Sequence, residues 1–162
     1  MRELHVFDLD GTVICSAHRK ASLPCGNIDL DHWREYSTPE KIEADSPLGL
    51  SALMRGLYSQ PGIVVVVCTA RVMARADWQW LEHNNLQFHY ALSRGEQDTR
   101  PDAEMKRAKL VNLFARIKLP VSRYKDVTLY DDNQAVITMA KSLGLVAVDA
   151  TKINSMIKGL LS

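Results

Sequence analysis

A chain of 162 residues with 46% hydrophobic and 24% charged residues, 8 Gly and 6 Pro has the make-up of one ordinary globular domain, and excludes disordered, collagenous and coiled-coil designs. Lys and Arg number 20 against 19 Asp and Glu, so a net charge of +1 supplies no bulk field for nucleic acid or an anionic membrane. Cys15, Cys25 and Cys68 form no CxxC pair or zinc framework, and no apolar stretch approaches the ~20 residues of a bilayer span. The expected setting is reducing and cytoplasmic, with no export signal and no membrane partner.

The first apolar run, residues 4–7, reads as a strand. From about 15 to 47 the rhythm breaks: Pro24, Gly26, Pro39 and Pro47 punctuate polar residues around Trp33 and Tyr36. This predicts an insertion over the first strand, too short to fold alone and therefore a flap or minimal cap. Its aromatic pair is either a miniature core or a stack for a base. Residues 48–58 carry apolar positions at spacings of three and four and read as a helix. A strand follows at 63–68, then a helix at 73–83 whose Trp78 and Trp80 face different sides. The polar loop 94–101 leads into a helix at 103–117, followed by a strand at 127–130, a helix at 134–143 and a short strand at 145–148. Continuous apolar strands suit a sheet covered on both faces. The βαβα alternation predicts an α/β fold, a three-layer αβα sandwich with a mainly parallel, Rossmann-like sheet, and all of 1–162 as one domain.

In an open α/β sheet, ligands collect beyond the carboxyl ends of the strands, where strand order reverses. The first strand ends in Asp8-Leu9-Asp10-Gly11-Thr12, the second in Thr69-Ala70-Arg71, and a later one in Tyr130-Asp131-Asp132-Asn133. Asp8, Asp10, Asp131 and Asp132 would repel one another unless a cation sat among them, and hard oxygen ligands with partial protein coordination suit Mg²⁺. Asp8 and Asp10 lie two apart and face alike on a regular strand, while Gly11 lets the backbone turn and bring Asp10 round. One carboxylate can attack phosphorus while its neighbour handles protons, dividing phosphate ester hydrolysis into formation and hydrolysis of an aspartyl-phosphate. An isolated Asp-x-Asp is commonly a turn or helix cap. The apolar strand before this one and the second acidic pair set it apart.

Asp8 to Thr12, Thr69, a Lys on the 103–110 stretch and Asp131-Asp132, in that order over positions 8–132, resemble the four motifs of the haloacid dehalogenase (HAD) superfamily of phosphohydrolases. The resemblance implies Asp8 as nucleophile, and Asp10 as general acid and then base for the attacking water. It implies Thr69 as a hydrogen-bond donor to a phosphoryl oxygen. Asp131 would hold Mg²⁺ with Asp8 and the backbone carbonyl of Asp10, and Asp132 would be a ligand or its support. In-line attack, proton delivery and charge neutralisation call for the same set. Lys106, Arg107 and Lys109 share one predicted helix, and Lys106 is preferred because it follows Asp102 by one helical turn.

The longer string Asp98-Thr99-Arg100-Pro101-Asp102, with Lys106 after it, is similar to the phosphatase domain of bacteriophage polynucleotide kinase-phosphatases. So are Arg71 and Arg19, the latter nine residues after Asp10. That likeness implies Arg19, Arg71 and Arg100 as phosphate or substrate contacts and Asp102 as the positioner of Lys106. No GxxxxGK[ST] loop is present, and Thr69 stands where that group often has Ser. The expected function is a Mg²⁺-dependent phosphomonoesterase acting on a phosphorylated nucleotide or nucleic-acid end, a 3′-phosphatase first and a 5′-nucleotidase on mononucleotides second. A receiver-like module would need its acceptor Asp where Cys68-Thr69 stands, and a non-catalytic interaction domain would tolerate loss of the carboxylates. Cys68 reads as a small buried hydrophobe, and of the five His only His18 falls beside the presumed site.

Overall fold

The computed structural model describes residues 1–19 and 29–162, and contains seven strands, seven α-helices and two short 3-10 helices among them. In chain order the strands and α-helices are β1 (Glu3–Phe7), β2 (Ile14–Cys15), α1 (Leu30–Tyr36), α2 (Pro39–Glu43), β3 (Ser46–Pro47), α3 (Leu50–Tyr58) and β4 (Ile63–Cys68). Then come α4 (Arg75–His83), β5 (Tyr90–Leu92), α5 (Asp102–Arg116), β6 (Val127–Asp131), α6 (Gln134–Ser142), β7 (Val146–Asp149) and α7 (Ala150–Leu161). Pro24, Cys25 and Gly26 lie outside the described residues. No helix among the described residues is long and apolar enough to cross a membrane.

Five strands form one parallel sheet in the order β5-β4-β1-β6-β7. The apolar runs are continuous because both faces are covered. Val65 and Val67 pack with Phe7 against Leu50 and Met54 of α3 and Trp80 and Leu81 of α4. Val66 and Cys68 face the other way, with Val6 and Leu129, toward Leu110 and Phe114 of α5 and Val136 of α6. Full burial of each large side chain contributes roughly 1.5–3 kcal/mol, so this double-sided core is the main source of stability. The layers and the sheet are the αβα sandwich that the strand and helix pattern predicts.

From β1 the chain steps outward to β4 and β5, then returns to the other side of β1 for β6 and β7. Strand order therefore reverses beside β1, where a ligand crevice is expected. Phe7 is level with Val67 on one side and Tyr130 on the other, so Asp8, Thr69 and Asp131 emerge together. The Asp8 amide donates to the Tyr130 carbonyl at 3.0 Å, holding the first carboxylate against the end of β6.

Between β2 and β3, an antiparallel pair with Ile14 opposite Pro47 and Cys15 opposite Ser46, the chain leaves the sheet to form α1 and α2. Asp29 caps α1 by accepting from the His32 amide, and Thr38 caps α2 ahead of Pro39 at its first position. Trp33 is buried beneath the Arg19 guanidinium, 4.5 Å from its ring centre, and borders a cavity between α1 and the loop after β4. Tyr36 stacks with His32, and the Lys41 ammonium lies 3.5 Å from its ring centre. Trp80 is buried while Trp78 is partly exposed, as their spacing requires.

β5 and α7 lie outside the elements read from the sequence, and α4 starts later than expected. β5 is a three-residue edge strand recruited by pairing with β4, and α7 is capped by Asp149, whose side chain accepts from the Thr151 amide. α7 is fastened by Asn154, which accepts from the Leu50 amide and donates to the Thr12 carbonyl, both at 2.9 Å. α4 begins at Arg75 rather than 73 because the Asp77 carboxylate accepts from the Ala74 amide and sets the first turn there.

Candidate active site

β1 and β6 end side by side, and their carboxylates share one ammonium. Lys106, one turn into α5, donates to Asp8 Oδ1 at 2.8 Å and to Asp131 Oδ2 at 2.7 Å. Of the three cations weighed on that helix, this is the one aimed into the crevice. Burial alone would depress Lys106, but Asp131 and Asp8 outweigh it and hold the ammonium above its ordinary range. Burial and the neighbouring Asp131 push Asp8 well above the usual carboxylate range, even against the pull of Lys106. Asp131 is raised by burial as well, with Lys106 and the Asn133 amide opposing.

Asp8, Asp131 and Asp132 each present an oxygen, all within 4.8 Å of one another. Asp132 also explains Gly11. A Cβ there would stand 2.2 Å from Asp132 Oδ2, and the backbone at Gly11 has φ +74°, so a side chain is excluded on two counts. Thr69, fully buried at the end of β4, accepts from the Arg71 amide at 3.1 Å, and Thr12 donates weakly to Asp8 Oδ2 at 3.4 Å.

Asp10 sits in a different environment from Asp8. Arg71 grips it bidentately, Nε to Oδ2 at 2.8 Å and Nη2 to Oδ1 at 2.6 Å, and Ser16 donates to Oδ1. Burial would raise the Asp10 carboxyl, but the Arg71 charge and these hydrogen bonds prevail and lower it. Arg71 reaches on to Asp77 at 2.7 Å and Asp45 at 3.1 Å. Asp45 takes both Nε and Nη2 of Arg19, at 2.9 and 2.6 Å, and bonds His18 Nε2 at 2.8 Å. Arg19 completes its set with Ser37 at 3.2 Å, and its side chain has no exposed surface.

The structure thus brings Asp8, Asp10, Thr69, Arg71, Lys106, Asp131 and Asp132 to one crevice. Arg19 belongs to the sealed Asp45 pair. Arg100 stands in solvent with its side chain 42% exposed, bonded to Asp98, which it lowers to about 2. The Asp102 carboxylate does not bond the Lys106 ammonium. It accepts from Arg94 Nη2 at 2.6 Å, so its link to Lys106 runs through the first turn of α5.

Arg94 escaped the sequence reading, as did Asp45, Asp77 and Ser16. Buried, it also donates to the carbonyls of Ala70 at 2.9 Å, Asp98 at 3.0 Å and Arg100 at 2.7 Å, and its amide bonds the Arg71 carbonyl. It joins the loop after β4 to the start of the helix that carries Lys106. No local motif marks these residues, since every one is defined by a partner elsewhere in the chain.

Level carboxylates at the switch point of such a sheet, with a hydroxyl and a buried lysine beside them, match the motif order that resembles the HAD superfamily phosphatases, and solved hydrolases of that superfamily share this fold. A HAD family enzyme from Bacteroides thetaiotaomicron, solved with magnesium and inorganic phosphate, shares the fold at a TM-score of 0.53 and 14% identity, over 91% of this chain and 93% of its own. A chain of the Pnkp1/Rnl/Hen1 RNA repair complex shares it at 0.60 and 19% identity over 90% of this chain, which spans 42% of that longer one. Within the class, the chain belongs to the bacteriophage T5 5′-deoxynucleotidase family, whose family model matches residues 1–160. The 5′-deoxynucleotidase of Escherichia phage T5 is 29% identical over an alignment of 177 residues, covering 94% of this chain and 68% of that protein.

Proposed function

We propose that the chain removes the 5′-phosphate of deoxynucleoside monophosphates through an aspartyl-phosphate formed on Asp8. The observation that carries the chemistry is the Lys106 ammonium between Asp8 and Asp131, which bonds both buried carboxylates and fixes where Asp8 points. Asp8 attacks phosphorus in line as the bond to the leaving 5′-oxygen breaks, and Asp10 delivers the proton that oxygen needs. Water then attacks the aspartyl-phosphate, Asp10 takes its proton, and inorganic phosphate leaves with Asp8 restored. Arg71 and Ser16 hold Asp10 ionised, the form required for the second half. For the first half Asp10 takes up a proton from solvent before passing it to the leaving oxygen. Thr69 donates to a phosphoryl oxygen, and Lys106 offsets its charge.

The donor set of Asp8, Asp131 and Asp132 is hard, anionic and closely spaced, and fits Mg²⁺, with the Asp10 carbonyl as a further ligand. Bound there, the ion supplies charge neutralisation for the phosphoryl oxygens.

The sequence reading placed a 3′-phosphorylated end first and a 5′-mononucleotide second. Membership of the T5 5′-deoxynucleotidase family supports the second, and so does the burial of Arg19, which leaves that guanidinium nothing to offer a polynucleotide backbone. The test is phosphate release from 5′-deoxynucleoside monophosphates, 3′-monophosphates and 3′-phosphorylated oligonucleotides, each with Mg²⁺ and with EDTA. Highest kcat/KM on the 5′-monophosphates with Mg²⁺ is expected. Preference for the 3′-phosphorylated oligonucleotide would overturn the substrate, and undiminished turnover in EDTA would overturn the metal.

A further inference from the structure

A cavity of about 210 Å³ lies between α1 and the loop that leaves β4. Leu30, Trp33 and Arg34 form one wall, and Ala70, Arg71 and Val72 the other. It adjoins the phosphoryl crevice directly: Ala70 and Arg71 follow Thr69 in the chain, and Arg71 is the residue that grips Asp10. A group attached to a phosphate at Asp8 therefore has this cavity for a neighbour.

Size and lining narrow the occupant. The volume is below the ~300 Å³ at which pockets for drug-sized molecules begin, so it suits one ring system and not a length of polymer. Its walls are mostly hydrocarbon, with an indole at one side and guanidinium groups at the edges. The Arg71 guanidinium carbon lies 5.4 Å from the Trp33 ring centre. Flat, polarisable, weakly hydrated surfaces of this kind accept a heteroaromatic ring without requiring a fixed hydrogen-bond pattern. The Arg34 guanidinium bonds the Glu96 carbonyl at 2.9 Å, tying α1 to the loop before α5.

We infer that this cavity seats the base of the nucleotide, with the sugar bridging it to the phosphate at Asp8, a reading that rests on the proposed 5′-deoxynucleotidase activity. A second opening flanks the site: a groove of about 780 Å³ between α7 and the paired strands β2 and β3, reaching Gly11 and Asp132. It is too broad to fix a single ring and provides the control.

Ala74 lines the cavity with an exposed side chain, and Ser155 holds the same position in the groove, so a tryptophan at either fills space without entering the core. Two quantities are read: the ratio of kcat/KM on thymidine 5′-monophosphate to that on ethyl phosphate, and the inhibition constant of thymidine, which carries no phosphate. Ala74→Trp should lower the ratio and raise the inhibition constant, each by a factor of about 10 or more, while Ser155→Trp moves neither by more than about twofold. Leu30→Ala, which widens the cavity instead of filling it, should weaken thymidine as well and keeps the inference testable if Ala74→Trp does not fold. Losses in Ser155→Trp, or unchanged thymidine inhibition in the cavity variants, would overturn the inference while leaving the activity standing. Turnover of ethyl phosphate with none of any deoxynucleoside 5′-monophosphate would instead overturn the proposed function, and this inference with it.

Discussion

Asp8, the proposed nucleophile, is kept where charge is disfavoured. Burial and Asp131 both raise its carboxyl, and Lys106 only partly compensates, an arrangement typical of residues placed for reaction rather than stability. A carboxyl raised by folding binds a proton that the unfolded chain has released, so stability declines as pH rises from the ordinary carboxylate value toward the raised one. Asp8→Asn removes both the nucleophile and that decline. Turnover should fall at least about 10³-fold, and the Tm in EDTA at pH 7 should rise by about 2–4 °C for each kcal/mol relieved. Phosphate release and thermal unfolding at pH 5 and 7 check this, and substantial residual hydrolysis would take the role from Asp8. Arg19 is the converse case, a guanidinium sealed against Asp45 and Ser37. Arg19→Lys keeps the charge but loses the bidentate grip, at about 1.5–3 kcal/mol of stability. Its nucleotide to ethyl phosphate preference should stay within about threefold of the parent. A selective loss on nucleotides at unchanged Tm would return Arg19 to the substrate.

Among the elements, the loop after β4 and the start of α5 must keep register, because one carries Thr69 and the other Lys106. Arg94 is what joins them. Arg94→Lys retains the charge and cannot span the Ala70, Asp98 and Arg100 carbonyls and Asp102 together. The expected result is a loss in kcat of up to about 10², the scale of a 1 Å misplacement, with partial rescue by added guanidinium. A purely structural role would lower Tm with kcat intact and no rescue. The same elements show what a sequence discloses. β1, β4 and β6 are legible because a largely apolar, β-branched or aromatic run ending in Asp, Thr or paired Asp is a local signal. β5 and α7 are not: Tyr90–Leu92 becomes a strand only by pairing beside β4, and the α7 sequence spreads Thr151, Lys152, Asn154, Ser155 and Lys158 among its apolar residues. Asp45, Asp77 and Arg94 were hidden for the same reason, since contacts such as Arg71 to Asp45, 26 residues apart, leave no spacing to find. The arginines at 19 and 100 were legible as residues but not in their partners, Asp45 and Asp98, which the fold alone supplies.

At the scale of the whole molecule, the sheet fixes the chemistry and the excursion between β2 and β3 fixes what stands over it. Three strands end level, so Asp8, Thr69 and Asp131 stand at the edge of the sheet, while α1 and α2 lie outside it. The excursion is tied to the reacting groups at both ends: Ser16 bonds Asp10, and Asp45 joins Arg19 to Arg71. Its chain departs and returns through adjacent strands, with Arg19 and Asp45 closing the neck just beyond them. A loop already closed at its base can lengthen at little free-energy cost, about 0.6 kcal/mol for each doubling. The stretch between Arg19 and Asp45 is thus open to evolutionary exchange. Insertions, deletions or a transplanted segment there can refit one hydrolytic core to a new family of phosphate esters, while natural selection leaves the strands beneath untouched.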